Sequence, residues 1–202
     1  MAIKNEMYSK LPNLVIGFHG CDADTFEKVI HKSEALKPST NSYDWLGNGI
    51  YFWENNYERA KEWADKKHKG KGKVIGAVLD LGYCLNLTDY SSSEILNLGY
   101  KALEANIVAV GEKMPENKSG RSQTDILLRD LDCAVIEQVH QLNQYAKMKP
   151  YDSVRGVFTE GKEMYPGSAL QEKTHIQICV RNPNCIKGYF EPVESNSKYE
   201  IP

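Results

Sequence analysis

No stretch of this 202-residue chain is long and apolar enough to cross a bilayer. Its opening, Met1 to Glu6, offers charge and polarity where a secretory signal needs an apolar run, so the cytoplasm is the expected compartment. Cysteine is sparse: Cys21, Cys84, Cys133, Cys179 and Cys185 are odd in number and never paired as Cys-x-x-Cys, so neither a disulfide framework nor a zinc site is signalled. An excess of one charge is also missing. The formal net charge of −2 gives no global basic field for a nucleic acid. Gly-x-Ser-x-Gly, P-loop and His-Glu-x-x-His strings are absent, and His31, His68 and His140 fit no metal or triad spacing. Hydrolase, NTPase and zincin readings lose their usual footing.

What is present describes a folded domain. Hydrophobic residues make up 41% and charged residues 26%, ordinary for a packed chain of a length that suits one domain spanning 1–202. Leu14 to Phe18 reads as a strand that delivers His19-Gly20 at its end, and Asp24 to Ile30 as a helix capped by Asp24 or Thr25. A loop from Pro38 to Trp45 leads through Gly47-Asn48-Gly49 to a second short strand, Ile50 to Trp53. Asn55 to Lys67 carries an amphipathic helix, with Asn55 and Glu58 arranged like a capping box. Lys73 to Leu81 reads as a buried strand that runs on through Cys84 to Leu87. Helical spacing covers Ser93 to Val110 and Thr124 to Gln141, with a loop at Met114 to Gln123 between them. Strands follow at Ser153 to Thr159, His175 to Val180 and Cys185 to Phe190, with a loop from Gly161 to Lys173. The class is α+β.

A site that cleaves NAD⁺ at the nicotinamide ribose needs a close backbone approach to the carboxamide, which favours Gly, and an aromatic face for the ring. It also needs a polar anchor for the ribose and a group that steers an oxocarbenium-like transition state at C1′. His19, Gly20, Tyr51 and a polar residue on a later strand could supply these parts.

Phe18-His19-Gly20, then Leu46-Gly47-Asn48-Gly49-Ile50-Tyr51-Phe52, then a helix with Arg59-Ala60, resembles the NAD⁺-binding core of ADP-ribosyltransferases of the His-Tyr-Glu clade, the poly(ADP-ribose) polymerase-like group. The resemblance implies a split antiparallel β-sheet with flanking helices, and NAD as the donor substrate, with no metal. It implies that His19 bonds the adenine-side ribose, that the Gly20 backbone holds the nicotinamide amide, and that Tyr51 stacks on the nicotinamide. Ser39 to Trp45, with Asn41 and Ser42, falls where the family's donor loop closes over the cofactor, and Gly49 and His175 complete the cofactor-binding set. Gly161 to Lys173 falls where the acceptor loop lies.

Two positions depart from the family. No Glu stands at the penultimate core strand, where Lys173-Thr174-His175-Ile176-Gln177-Ile178 reads instead. Alternation puts His175 and Gln177 on one face; Gln177 is the preferred third residue, His175 the rival, and Glu160 the nearest carboxylate. A neutral Gln cannot offset a cation or act as a general base, which points to transfer of a single ADP-ribose rather than chain growth. Arg59 stands where many relatives carry a small Ser.

A stand-alone domain of this clade resembles bacterial effectors and toxins of toxin–antitoxin and phage-defence systems, some of which modify RNA. That implies an RNA or protein acceptor and a neutralising antitoxin. Two alternatives share the pocket: an NAD glycohydrolase with water as acceptor, and a non-catalytic module that binds NAD or ADP-ribose. Lys66, Lys67, Lys69, Lys71 and Lys73 read as a solvated helix end, with a phosphate-tracking patch as the sharper alternative.

Overall fold

The computed structural model describes residues 14–119 and 125–200; Met1 to Glu6, the last four residues of the expected Met114 to Gln123 loop, and Thr124 lie outside them. The elements run β1 (Val15–Cys21), α1 (Ala23–His31), β2 (Ile50–Glu54), α2 (Tyr57–Lys67), β3 (Lys73–Leu79), β4 (Cys84–Asn86) and α3 (Ser92–Val110). They continue with β5 (Asn117–Lys118), β6 (Leu128–Arg129), α4 (Asp130–Tyr145), β7 (Ser153–Phe158), β8 (His175–Val180) and β9 (Ile186–Phe190). Among the described residues, seven strands form one sheet in the order β4-β7-β8-β2-β1-β3-β9. All its pairings are antiparallel except that of β4 with β7, so the α+β class holds.

The expected continuous strand from Lys73 through Leu87 is two strands. A turn with Gly82 at φ +59° separates β3 from β4, a conformation that a side chain disfavours. The two halves then sit five strand spacings apart in the sheet order, about 24 Å if the sheet were flat. Five residues from Leu79 to Cys84 reach at most about 18 Å. The sheet is therefore strongly bent. Its inner face is filled by Phe52, Ile75, Leu79, Ile178 and Val180, with α1 contributing Phe26 and Val29. On the other face α4 covers Cys179 and Val154 through Ile136 and Val139, and α2 covers Trp53 and Val74 through Ala60.

The caps also differ from expectation by one or two residues. Asp22 caps α1, its Oδ1 accepting from Thr25 N at 2.8 Å. Asn56 caps α2, accepting from Arg59 N, while Asn55 turns to φ +48°. The helix expected from Thr124 begins at Asp130, after the short strand β6. One ion pair ties the bend together: Arg155 on β7 reaches over β8 to Glu54 at the end of β2, with Nε–Oε2 at 2.6 Å and Nη2–Oε1 at 2.9 Å. Both side chains are largely buried, so deleting one strands the charge of the other. Arg155→Ala is expected to cost about 2 kcal/mol or more, against about 1 kcal/mol for Asp22→Ala. Guanidinium unfolding midpoints of the two variants test this order, and a smaller loss for Arg155→Ala contradicts it.

Candidate functional site

The two central strands β1 and β2 keep register for only two pairs, Gly17 with Glu54 and Phe18 with Trp53. Beyond Phe18 β1 turns wholly to β3, its partner through Cys21, and a gap opens toward Tyr51. His19 bridges that gap with its side chain, Nδ1 lying 2.8 Å from the carbonyl oxygen of Tyr51. A carbonyl only accepts, so Nδ1 carries the proton and Nε2 presents a lone pair. That Nε2 has no protein partner among the described residues. Burial holds the imidazole below its usual pKa, which keeps it neutral.

A second pair lies on β8. His175 donates from Nδ1 to the Lys173 carbonyl at 2.7 Å, so its Nε2 accepts from the Gln177 amide nitrogen at 3.0 Å. That fixes the amide orientation and leaves Gln177 Oε1 without a protein partner among the described residues. Both residues are buried. Their face of the sheet is shared by Trp53, paired with Gln177, and by Tyr51, paired with Cys179. Trp53 is buried with its Nε1 unbonded. His19 faces the other side, next to Phe52.

Glu160, after β7, sits 3.7 Å from His175 Nδ1 and accepts from Arg59 Nη2 at 2.6 Å. Arg59 also pairs with Glu62, and Glu62 with Lys173. Lys173 N in turn donates to the Glu160 carbonyl at 3.0 Å. Both ends of the Gly161 to Lys173 loop are thus clamped to α2. No local signal pairs Arg59 with Glu160, because the two stand 101 residues apart.

The remaining expected residues lie differently. Tyr51 is half-buried, its hydroxyl donating to the Gly47 carbonyl at 2.6 Å and accepting from Leu46 N at 2.8 Å, so only its ring remains to meet a ligand. Burial raises its phenol pKa. Gly20 is buried under α2, where a Cβ would come within 2.6 Å of the Ala60 carbonyl oxygen, a packing reason for Gly independent of any ligand. Gly49 bridges Ser39 through two backbone bonds and closes the intervening loop at its neck. Within that loop Asn41 bonds Ser39 and Asp44, and Ser42 bonds Asp130 at 2.6 Å. Neither touches the His19 or Gln177 pairs. In the lysine run, Lys67 lies over the Trp63 ring and Lys73 over Phe26. Among the described residues no group of three His, Cys, Asp or Glu side chains is arranged to hold a metal, and no helix is long and apolar enough to cross a membrane.

The chain is similar to an uncharacterized protein of Methanocaldococcus jannaschii, 25% identical over an alignment of 195 positions, with 84% of this chain and 83% of the relative covered. No family model matches the chain, and no solved structure matches it.

Three imidazoles, His19, His175 and His140, are held below the usual range, chiefly by burial, and His140 falls to about 4. Below about pH 6.5 the unfolded chain therefore binds more protons than the folded one, so this stability is complete above that value and lost as pH falls toward 4. Urea midpoints are expected to drop between pH 7 and pH 5, with a shallower drop in His140→Gln. A variant slope equal to that of the wild type contradicts the assignment to His140.

Proposed function

We propose that the chain is an NAD⁺-dependent mono-ADP-ribosyltransferase of the His-Tyr-Glu type, with the donor lying along the gap between β1 and β2. The observation that carries the reading is the His19 Nδ1 bond to the Tyr51 carbonyl, which leaves Nε2 as a neutral acceptor at the gap. A ribose hydroxyl is a donor of matching chemistry. Gln177 Oε1 supplies a second neutral acceptor for the nicotinamide-side ribose. In this reading the Tyr51 ring would meet the nicotinamide and the Gly20 backbone its carboxamide, as the family resemblance implies.

In this reading the C1′–N bond breaks with its electron pair leaving on nicotinamide, and the acceptor's nucleophile attacks the oxocarbenium carbon and then loses its proton. Positioning and electrostatics supply most of the catalysis. Glu160 is the carboxylate nearest the Gln177–His175 pair, and it is available to oppose the developing cation only when Arg59 turns away. The acceptor class, RNA or protein, and a neutralising antitoxin come from the family resemblance alone.

The Arg59–Glu160 pair favours one second reading, a module that binds NAD⁺ without turnover, because the carboxylate is already neutralised. Labelled NAD⁺ incubated with the chain and lysate separates the readings. Transfer predicts macromolecular label and free nicotinamide; label confined to free ADP-ribose is glycohydrolysis; bound but intact NAD⁺ is the module. His19→Ala and Gln177→Ala are each expected to lower nicotinamide release by roughly 10²-fold. Unchanged release in both overturns the assignment of this site.

A further inference from the structure

A cavity of about 480 Å³ opens between α3, the start of α4 and the outer side of β7. That volume lies within the range of small-molecule sites and exceeds what packing leaves by chance. Its inner wall is aromatic: Trp45 and Phe158 meet with ring centroids 4.7 Å apart, and Tyr100 rises opposite from α3.

Arg129 also lines the cavity, its guanidinium 4.6 Å from the Trp45 ring centroid and 4.8 Å from that of Phe158. Its charge is already engaged, because Nη1 donates to Asp132 at 3.2 Å and Nε to the Ile126 carbonyl at 3.2 Å. A cation so paired is a poor phosphate anchor and a good flat surface. Stacked rings and a guanidinium plane suit an uncharged heteroaromatic group. At the rim, exposed Asn97 has its side-chain amide unengaged among the described residues. A free amide offers one donor and one acceptor side by side, the pair that reads the N6 and N7 edge of adenine.

The wall has a second side. His175 stacks near Trp45 with centroids 6.1 Å apart and lies 6.1 Å from Phe158. Trp45 and Phe158 thus line the cavity and also meet His175 of the His175–Gln177 pair. We propose that the cavity binds an adenine base, stacked against its aromatic wall and read at its edge by Asn97. Its pertinence to acceptor choice rests on the transferase reading; its ligand chemistry does not.

The test is calorimetric titration of AMP and of a short oligoadenylate into the full chain without NAD⁺, with CMP as the control. Asn97→Ala removes the edge contact, and Leu96→Trp fills the cavity from its α3 side. Saturable binding with Kd below about 1 mM, tighter than for CMP and weakened at least tenfold by both variants, is expected. Tighter oligoadenylate than AMP assigns the base to a nucleic-acid strand, and equal affinity assigns it to a free nucleotide. Nicotinamide release by the variants, measured alone, is expected to match the wild type, so a failed transferase reading is told apart from a failed cavity. Absence of saturable AMP and oligoadenylate binding, or undiminished binding in the two variants, overturns the proposal.

Discussion

The site depends on one hydrogen bond that stands in for a missing ladder. An antiparallel pair of central strands normally continues to exchange backbone bonds, because buried unpaired carbonyls are costly. Here β1 abandons β2 after Phe18, and the His19 side chain satisfies the Tyr51 carbonyl instead. The substitution keeps the gap between the strands open without an orphaned acceptor. It also fixes the imidazole tautomer, so the structural duty of one nitrogen defines what the other offers to a ligand. The bend forced by the short β3–β4 connection wraps the inner core behind that gap.

Neutral acceptors and a chain of paired charges lie around the gap. His19 and Gln177 offer lone pairs without charge; Arg59, Glu160, Glu62 and Lys173 form one chain of ion pairs beside Gln177, while Lys67 and Asp22 add charge near His19. Such an arrangement recognises hydroxyl donors well and stabilises a cation weakly unless the chain of ion pairs rearranges. The clamp on both ends of the Gly161 to Lys173 loop makes that rearrangement and the position of the loop a single event. In the proposed transferase, the acceptor that reaches the loop would therefore also free the carboxylate.

Periodic segments were legible in the sequence. The amphipathic spacing of Tyr57, Ala60 and Ala64 marks α2, and the β-branched run from Val74 to Leu79 marks β3. Boundaries failed where a local signal had two equivalent neighbours, as with Asn55 beside Asn56 and Asp22 beside Asp24. The run from Lys73 to Leu87 misled because both strands are apolar, and only the backbone angle at Gly82 separates them. The His19–Tyr51 and His175–Gln177 pairs could be anticipated as neighbours on strands. The Arg59–Glu160 bond could not, since nothing local specifies a partner across more than half the described chain.

In the proposed transferase NAD⁺ lies in the gap between β1 and β2, touching His19 on one side of the sheet and Gln177 on the other. Amide hydrogen exchange with and without NAD⁺ tests it most directly, because the strand ends that border the gap exchange with solvent only as it opens. Added protection at residues 19–21, 50–52 and 175–177 together is expected. Protection confined to other elements, or none at saturating NAD⁺, contradicts it.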